Sequence, residues 1–456
     1  MENKTNNYIE DEIELKLINE KPRNLKIIVL DDDPTGSQTL SDVPIYTAWD
    51  ENTLRKAFKE TSPMFYILTN SRALSKKETI KVHSDIMHNL TIIGKSLSSK
   101  FLIVSRSDST LRGHYPIETQ IISEFIPDLD GEIICPAFIE SGRVTIDNVH
   151  YIMENNILLP VNKTEFAKDN TFGYENANLI DYIKEKHERE DISIESISLD
   201  NLRSFNESEI MNILINISNF GKIIVNAENY LDLKIFVLFL FKAINKGKKF
   251  VVRSAASIVK LLGIQFSDNI INDITQDSKN KNGAMYIIGS HTNLTTRQFS
   301  RLKKIKDIYC IELDVKKFLS KKEKKGYIEQ ISKLIDKHIF NNTTVVIYTQ
   351  REVIVGNNKE ESLLISIEIS DSIQQIVQKL SVKPRYILTK GGITSSDIAV
   401  KALGVKKAMV MGQIIKGVSV WQLGSESKFR KIPFIVFPGN VGNEWSLVEI
   451  YNKLSV

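Results

Sequence analysis

The stretch Leu25-Lys26-Ile27-Ile28-Val29-Leu30 runs directly into Asp31-Asp32-Asp33-Pro34-Thr35-Gly36. The first six residues are mostly apolar and β-branched, which is typical of a strand covered on both faces. Three carboxylates and a Pro-Thr-Gly turn follow at once. Crowded carboxylates repel one another, so at least one of them needs a cation, a hydrogen-bond donor or a proton. Because open parallel sheets bind ligands at the carboxyl ends of their strands, the stretch predicts a polar site there more than a surface acidic turn.

Similar short apolar runs recur along the chain, separated by segments with the apolar period of helices. Many of these runs are apolar on both faces, which favours parallel or mixed sheets with helical crossovers. The sequence therefore predicts an α/β protein in which each domain is a mostly parallel sheet flanked by helices. The predicted strands are 25–30, 43–47, 65–69, 101–105, 132–137, 222–227, 250–254, 285–289, 309–313, 344–349, 386–389, 408–414 and 434–437.

The length of 456 residues is too great for one compact core, so more than one domain is expected. Residues 276–283 contain no apolar side chain and make the best linker candidate. We therefore predict a first domain at 21–275 and a second at 283–456. Residues 1–20 are expected to form a short amphipathic helix or a loose arm without visible chemistry.

The composition is that of an ordinary globular protein, with 42% hydrophobic residues, 25% charged residues and a net charge of +4. Such a small net charge does not indicate a nucleic-acid partner. The two cysteines form no C-x-x-C pair. The longest apolar run, 235–241, is far shorter than the ~18–20 residues of a membrane span. Without a signal-peptide pattern either, the sequence favours a cytoplasmic protein with no membrane partner.

Two further predicted strands end in arginines and hydroxyl groups. One leads into Ser105-Arg106-Ser107-Asp108-Ser109-Thr110-Leu111-Arg112-Gly113 and the other into Thr69-Asn70-Ser71-Arg72. Arginine can bind a carboxylate through two hydrogen bonds, while hydroxyl groups and aspartate suit a polyol. Each loop alone is more often a salt-bridged surface loop. Together with the acidic strand end, they predict a polar pocket that accepts an anion.

The second half has glycine-containing turns after strands, at 288–293, 388–397 and 437–443. Glycine lets the backbone approach phosphate oxygens closely, and a following helix offers unpaired N–H groups. Simple helix capping explains any one of these turns equally well. The chain has no G-x-x-x-x-G-K-[ST] or G-x-G-x-x-G motif, which disfavours a P-loop NTPase and a dinucleotide dehydrogenase. It also lacks a G-x-S-x-G elbow and H-x-x-H or H-E-x-x-H spacing.

These motifs, in this order, resemble those of the four-carbon acid sugar kinase family, which phosphorylates threonate, erythronate and related 3-oxo acids. The resemblance covers about residues 25–445. No single motif is specific, but the ordered set is. The matching stretches are Asp32-Asp33-Pro34-Thr35-Gly36, Asp108-Ser109-Thr110-Leu111-Arg112-Gly113, Gly289-Ser290 through Gln298, Gly391-Gly392-Ile393-Thr394 and Gly439-Asn440-Val441-Gly442.

The resemblance implies an N-terminal sugar-acid domain and a C-terminal nucleotide domain, with the active site in the cleft between them. It implies an ATP-dependent kinase, a phosphotransferase that acts on an alcohol group in carbohydrate metabolism. ATP and a small sugar acid are then the expected partners, and Mg²⁺ is the expected cofactor because it neutralises phosphate oxygens during transfer. A homodimer is compatible with the sequence, which does not fix the oligomeric state.

The resulting hypothesis gives each motif a role. Asp32 or Asp33 would accept the proton of the acceptor hydroxyl or orient that hydroxyl, and the sequence leaves open which. Arg72 and Arg112 would hold the substrate carboxylate, and Asp108 a hydroxyl. The full set of substrate-binding residues would be Thr35, Arg72, Arg106, Asp108 and Arg112. The nucleotide-binding residues would be Ser290, Gly391, Gly392, Ile393, Thr394, Gly439, Asn440, Val441 and Gly442.

One departure from the family pattern affects the metal. Ile393 stands where the family usually has aspartate, and Asp397, one helical turn later, could compensate. No other side chain is assigned to a metal. Two alternatives stay open: a kinase of the same fold that acts on another hydroxy-acid, and a non-catalytic module that senses nucleotide and acid. The sequence also leaves open the exact acid, its stereochemistry and the hydroxyl that is phosphorylated.

Overall fold

The computed structural model describes residues 2–154, 156–267, 269–272, 274, 280–350 and 359–455, with side chains except those of 2–9 and 359–363. The chain forms two compact units. The first contains Met1–Gly36 and Ala48–Ser267, and the second contains Ser37–Thr47 and Asp268–Val456. Part of the predicted linker, residues 276–279, lies outside the described residues, and the predicted domain limits stay a prediction.

The strands follow one another at the intervals that the apolar runs predicted. Within the described ranges they are β1 (Leu25–Asp31), β2 (Val43–Tyr46), β3 (Met64–Leu68), β4 (Lys100–Arg106), β5 (Gly131–Cys135), β6 (Arg143–Ile146), β7 (Val149–Glu154), β8 (Ile157–Pro160), β9 (Ile194–Ile197), β10 (Gly221–Val225), β11 (Phe250–Ser254), β12 (Met285–Ile288), β13 (Ile308–Leu313), β14 (Thr344–Thr349), β15 (Ile387–Lys390), β16 (Lys407–Ile415), β17 (Val418–Leu423) and β18 (Pro433–Phe437).

Helices occupy most of the intervals between strands. They are α1 (Glu2–Glu20), α2 (Glu51–Lys59), α3 (Lys76–Ser96), α4 (Ile117–Phe125), α5 (Leu179–His187), α6 (Leu199–Arg203), α7 (Glu207–Asn216), α8 (Tyr230–Asn245), α9 (Ala256–Leu262), α10 (Asn293–Leu302), α11 (Val315–Leu319), α12 (Lys324–Phe340), α13 (Lys359–Lys379), α14 (Gly392–Asp397) and α15 (Ser446–Leu454). Among the described residues, no helix is both long and apolar enough to cross a membrane.

The first unit is built on a parallel sheet with the strand order β3-β1-β4-β11-β5-β10-β9. Four of its strands, β3, β5, β10 and β11, are buried along their whole length, as is typical of runs that are apolar on both faces. Helix α1 spans the predicted N-terminal arm. Its Ile13 and Leu17 are buried, and Glu14 lies 2.5 Å from Lys234 of α8.

A second, antiparallel sheet of β6, β7 and β8 belongs to the same unit, and the sequence analysis did not predict it. The strands are short, and the hairpin between β6 and β7 turns through Asp147 and Asn148, both with positive φ. This sheet matters for the site because β7 carries the buried His150.

The second unit has the strand order β13-β14-β12-β15-β18-β17-β16-β2. Pairing is parallel from β13 to β18 and antiparallel through β17, β16 and β2. One side of the sheet packs against α10 and α15 in a core that includes Leu388, Phe299 and Leu447. The predicted class, a two-domain α/β protein with mostly parallel sheets flanked by helices, is confirmed.

Candidate functional site

A cluster of charged side chains lies at the carboxyl edge of the sheet in the first unit. β1 pairs with β3 and β4, so that Asp31 stands beside Leu68 on one side and Arg106 on the other. Arg106 Nη1 lies 3.2 Å from Asp31 Oδ1 and 3.3 Å from Asp32 Oδ1. The side chains of Asp31 and Asp32 are only 2% exposed, and that of Arg106 is 5% exposed. Arg106 is thus enclosed by the carboxyl groups of Asp31 and Asp32 and does not face solvent.

Arg72 joins carboxylates from two different loops. Its Nη2 lies 2.9 Å from Asp32 Oδ1 and 3.5 Å from Asp33 Oδ2, and its Nη1 lies 3.7 Å from Asp108 Oδ1. The side chain keeps 20% of its surface exposed. One guanidinium group therefore holds together the loop after β1 and the loop after β4.

The Pro-Thr-Gly turn after the acidic triplet fixes Asp33. The backbone N–H and the hydroxyl of Thr35 both donate to Asp33 Oδ1, at 2.8 and 2.6 Å. Asp33 Oδ2 points toward Arg72 instead. The Asp33 side chain is 16% exposed, so this carboxylate, unlike Asp32, is accessible from solvent.

Side chains from elsewhere in the first unit hold the loop after β4 by hydrogen bonds to its backbone carbonyl groups. His150 Nε2, Tyr174 Oη and Tyr182 Oη donate to the consecutive carbonyls of residues 109, 110 and 111, at 2.8, 2.8 and 2.9 Å. Leu111 has a φ of 65°. Within the loop, Asp108 accepts hydrogen bonds from the Thr110 hydroxyl and, at 2.6 Å, from Arg112 Nε. These contacts give the loop a fixed shape before any ligand binds.

Burial and neighbouring charges separate the carboxylates into two kinds. Burial raises the pKa of Asp31 to about 8, although Arg106 acts in the opposite direction. Burial also raises the pKa of Asp32, against Arg72 and Arg106. Burial acts on Asp33 in the same sense, but Arg72 and the hydrogen bonds from Thr35 outweigh it and lower the pKa of Asp33. For Asp108, Arg72 and Arg112 likewise outweigh burial and lower the pKa. At neutral pH Asp31 keeps its proton, while Asp33 and Asp108 are charged.

A second layer of charge supports this cluster, and the sequence analysis missed it. Arg253 of β11 donates to Glu118 of α4 at 2.5 Å and to Ser105 Oγ at 2.8 Å. Glu118 also accepts from Ser71 Oγ at 2.6 Å. Burial of Glu118 is outweighed mainly by Arg253, which brings the pKa of Glu118 to about 2. The signal in the sequence was an arginine within the apolar run 250–254, where a charged residue needs a buried partner.

In the second unit, the glycine turns after β12, β15 and β18 meet around Ser290. A Cβ at Gly391 would lie 3.3 Å from Ser290 Cβ, and one at Gly439 would lie 2.8 Å from Ser290 Oγ. Gly289 approaches Thr394 so closely that a Cβ there would lie 2.0 Å from Thr394 Oγ1. The glycines are needed for this close approach of three backbone segments.

The loop 438–443 has its carbonyl groups turned toward the protein. In a trans peptide the N–H that follows a carbonyl points the opposite way, so the N–H groups of Gly439, Asn440 and Gly442 point away from these contacts. Among the described residues, none accepts a hydrogen bond from these three N–H groups. The loop therefore offers unpaired donors of the kind that bind phosphate. The contacts are Lys390 Nζ to Pro438 O, Thr292 Oγ1 and Thr295 Oγ1 to Gly439 O (2.8 and 3.0 Å), and Gln298 Nε2 to Val441 O and Asn443 O (3.0 and 2.9 Å).

A cavity of about 250 Å³ adjoins the turn at Gly289 and Thr394. Its lining combines hydroxyl groups with an apolar wall that includes Ile369, Ile373 and Ile393, and Ile393 is 61% exposed. Asp397 is the carboxylate in this lining. It accepts from Ser370 Oγ at 2.6 Å and pairs with Lys401 at 2.9 Å.

The described residues contain no group of three or more His, Cys, Asp or Glu side chains that could hold a metal ion by themselves. Mg²⁺ in phosphate-transfer sites is usually bound through one or two carboxylates together with phosphate oxygens and water. Asp397 alone in the cavity lining fits a Mg²⁺ ion that arrives with a nucleotide.

The site residues predicted from the sequence fall into two groups in space. In the first unit the structure brings together Asp32, Asp33, Thr35, Arg72, Arg106, Asp108 and Arg112. In the second unit, Ser290, Gly391, Thr394 and Gly439 lie around one point, Gly392 begins α14, and Asn440, Val441 and Gly442 lie in the loop after β18. The predicted site residues did not include Lys390, Thr292, Thr295 or Gln298, whose side chains hold that loop, although Gln298 ends one of the motifs shared with the family.

Family models agree with this division of the chain. A model described as a sugar-binding N-terminal domain matches residues 27–262, and a nucleotide-binding C-terminal domain matches residues 285–447. The chain belongs to the four-carbon acid sugar kinase family. As a member of this family, it combines a sugar-binding and a nucleotide-binding domain, and the resemblance predicted from its motifs is confirmed.

Solved structures share the fold of this family member. One, from Salmonella typhimurium LT2 and provisionally named a tRNA synthase, is 14% identical, with a TM-score of 0.69 over 94% of this chain and 100% of that one. Another, Haemophilus influenzae protein HI1011, is 16% identical, with a TM-score of 0.62 over 93% of this chain and 99% of that one. At such low identity the likeness concerns the fold alone. No protein with curated annotation matches the chain significantly.

Proposed function

We propose that the protein is an ATP-dependent kinase that phosphorylates a hydroxyl group of a four-carbon sugar acid of the threonate, erythronate or 3-oxo-tetronate type. The observation that carries this proposal is that two partly exposed guanidinium groups, those of Arg72 and Arg112, lie with the ionised carboxylate of Asp33 at one edge of the sugar-binding unit. An acid with several hydroxyl groups is the ligand that such a set of side chains matches.

Arg112 and Arg72 are the proposed ligands of the substrate carboxylate. The Arg112 side chain is 25% exposed, and its guanidinium group lies 4.8 Å from the centroid of the Phe166 ring, which holds it in one plane. Its Nε is used by Asp108, whereas its outer nitrogens face at most a distant Asp169, 3.8 Å away. These outer nitrogens are the ones that a carboxylate would bind through two hydrogen bonds.

Two of the predicted substrate-binding residues receive supporting roles in this proposal. Arg106 is enclosed by Asp31 and Asp32, so we assign it to holding these carboxylates in place. Thr35 donates both of its hydrogen bonds to Asp33, so we assign it to orienting that carboxylate.

Asp33 is the proposed base. A base must reach the hydroxyl that it deprotonates, and Asp33 has one oxygen not bonded to Thr35 and a partly exposed side chain. Asp32 has its Oδ1 bonded to Arg72 and Arg106 and its Oδ2 bonded to Ser107, and it is almost completely buried. We therefore assign Asp32 to holding Arg72 in position for the substrate.

The second unit would bind the nucleotide. The outward N–H groups of the loop 438–443 suit its phosphates, and the adjoining cavity of about 250 Å³, with its apolar wall, suits its nucleoside. When bound with the nucleotide, Mg²⁺ would neutralise the phosphate oxygens, and Asp397 is the side chain that would contact it.

The proposal is tested by measuring ADP formation with a panel of three- to six-carbon sugar acids, each paired with its neutral alcohol or amide. We expect turnover with four-carbon acids, a phosphorylated product by mass spectrometry, and little turnover with the neutral analogues. Asp33→Asn should lower turnover by about two orders of magnitude or more, whereas Asp128→Asn, at a surface position in the same unit, should leave it unchanged. If no acid in the panel supports ADP formation, the kinase proposal is wrong, and turnover only with longer acids would correct the substrate class.

A further inference from the structure

Lys390 is the last residue of β15 and the residue before the Gly391-Gly392 turn. Its side chain is completely buried. Its Nζ donates to Pro438 O, which is its only hydrogen-bond acceptor among the described residues, and lies 3.6 Å from the centroid of the Phe437 ring. A lysine ammonium group has three donors, so most of its hydrogen-bonding capacity is unused here.

Among the residues that the structure describes, no carboxylate pairs with this lysine. Buried lysines in proteins are normally paired with a carboxylate, because an isolated buried charge is costly. Around Lys390, burial is the sole cause that moves its pKa, which it lowers to about 6. In the protein without ligands, Lys390 is therefore a neutral amine at physiological pH.

Among the described residues, the charged and titratable groups on the surrounding elements make no hydrogen bond or ion pair with Lys390, and four of them contact other partners. β12 and β18 contain no acidic or basic side chain. These four groups are Arg301 of α10, paired with Glu444 at 3.1 Å; Asp397 of α14, paired with Lys401 at 2.9 Å; His291 in the turn after β12, 3.2 Å from Thr349 Oγ1; and the phenol of Tyr286 in β12, which shares a hydrogen bond with Tyr386 at 2.9 Å.

The position of Lys390 connects it to the phosphate-binding loop. It donates to the carbonyl of Pro438, and the N–H of the next residue, Gly439, points away from that carbonyl. The backbone N–H groups of Gly289 and Ser290 bond to the carbonyl of Lys390 itself, at 3.2 and 3.0 Å. Lys390 thus lies beneath the point where the glycine turns meet, and an anion bound on that loop would be the counter-ion that the lysine lacks.

We propose that Lys390 supplies the positive charge beneath the loop 438–443, and that it takes up one proton from solvent when a nucleotide's phosphates bind to that loop. Lys390 is a positioning residue in this proposal, because it acts through the loop and does not touch the ligand. The proposal rests on the nucleotide site of the proposed function. It adds that nucleotide affinity falls as pH rises, because the proton must be acquired on binding.

Isothermal titration calorimetry of the full chain with ADP, at about pH 8, tests this proposal. A terminal phosphate with a pKa near 6 is already ionised at that pH, so ADP itself contributes little proton exchange. The titration is repeated in buffers that differ in ionisation enthalpy, and the slope of the observed enthalpy against that quantity gives the number of protons taken up. We expect at least half a proton per ADP for the wild type.

The variants assign the proton to Lys390. Lys390→Met should bind ADP about tenfold or more weakly, with a slope near zero, and Lys390→Gln should behave similarly if the Met variant does not fold. Lys453→Met is the matched control, because Lys453 also donates to a backbone carbonyl of this unit, that of Ile414 at 2.9 Å, and it should keep the wild-type slope.

Three outcomes would contradict the proposal for Lys390. ADP binding to the wild type without proton uptake would overturn the role of Lys390 and leave the proposed function intact. A slope that persists in Lys390→Met would assign the proton to another group. Absence of ADP binding to the wild type would overturn the nucleotide site itself, and the proposal for Lys390 with it.

Discussion

Gly36 packs directly against the carboxyl group of Asp31: a Cβ at position 36 would lie 2.1 Å from Asp31 Oδ1 and 2.3 Å from Asp31 Oδ2. The carboxyl group cannot easily move aside, because Arg106 holds the same oxygen at 3.2 Å. The acidic triplet and the glycine that follows it therefore pack together as one turn. This turn closes over the buried carboxyl group of Asp31 and leaves Asp33 partly exposed.

Gly36→Ala should disrupt the packing of this turn. The added methyl group must displace either Asp31 or the turn, so we expect a loss of about 1–3 kcal/mol in the free energy of unfolding and a lower kcat. Urea unfolding and the ADP-formation assay measure the two effects. Gly326→Ala is the control, since nothing lies within 4 Å of a Cβ there, and unchanged stability of Gly36→Ala would contradict the close packing.

Asp33→Asn and Asp32→Asn should fail in different ways. Asp33 is partly exposed and is the proposed base, so Asp33→Asn should lower kcat by about two orders of magnitude or more with little change in unfolding free energy. Asp32 is buried and balances the buried Arg106 and the partly exposed Arg72, so Asp32→Asn should destabilise the protein by about 3 kcal/mol. Near-normal kcat in Asp33→Asn would refute the assignment of the base.

The pKa of Asp31 predicts how stability depends on pH. Its pKa is about 8 when folded, whereas an unfolded aspartate has a pKa of about 3.9. Between these values the unfolded chain binds fewer protons than the folded one, so the free energy of unfolding falls as pH rises from about 4 to about 8.

Asp31→Asn should remove this contribution, because the amide does not ionise. Relative to wild type, the variant should gain on the order of 1 kcal/mol per pH unit between about pH 5.5 and 7.5. Urea unfolding at several pH values measures this difference, with Asp128→Asn as the control for the loss of one surface carboxylate. A difference between Asp31→Asn and wild type that does not vary with pH would show that Asp31 is ionised when folded.

The sequence predicted the elements of the fold better than the arrangement of the site. Each predicted run coincides with an observed strand within one or two residues, because a strand buried on both faces must be apolar throughout. The strands β6, β7, β8, β9 and β17 were missed. They are short or alternate polar with apolar residues, and their pairing depends on neighbours distant in sequence.

The site itself was predictable only as a set of strand ends. Motif order indicated that Asp32, Asp33 and Arg72 are near one another, but not that Arg106 is enclosed while Arg112 is exposed. Burial of individual side chains depends on packing that the motifs do not encode. Arg253 and Lys390 were missed as site residues for the same reason. Arg253 lies within an apolar run and Lys390 at the end of a strand, and their partners become visible only in three dimensions.

Gly442→Ala should weaken nucleotide binding. Gly442 has a φ of 83°, and a Cβ there would lie 2.4 Å from Ser446 Oγ, so the loop 438–443 must change shape. We expect a loss of tenfold or more in ADP affinity by calorimetry, since the N–H groups no longer converge. Gly404→Ala is the matched control: it has a φ of 65° but open space around the Cβ, so it should cost about 1 kcal/mol of stability and leave ADP affinity unchanged. Equal ADP affinity in both variants would show that the loop does not bind phosphate.

Arg112→Lys tests which side of the reaction Arg112 serves. The substitution keeps the positive charge and loses the planar group that binds Asp108 at 2.6 Å on one edge and would bind the substrate carboxylate on the other. The KM for the sugar acid should rise about tenfold or more, in line with the loss of one charge-assisted hydrogen bond of roughly 1.5–3 kcal/mol, while the KM for ATP should change little. Arg189→Lys, at an exposed arginine paired with Asp191 at 2.9 Å in the same unit, is the control for the exchange of arginine for lysine. Replacing the acid by its neutral amide gives a further test of Arg112. The replacement should lower the activity of the wild type more than that of Arg112→Lys. Equal activity of the wild type on acid and amide would exclude a carboxylate clamp, and a KM effect confined to ATP would place Arg112 on the nucleotide side.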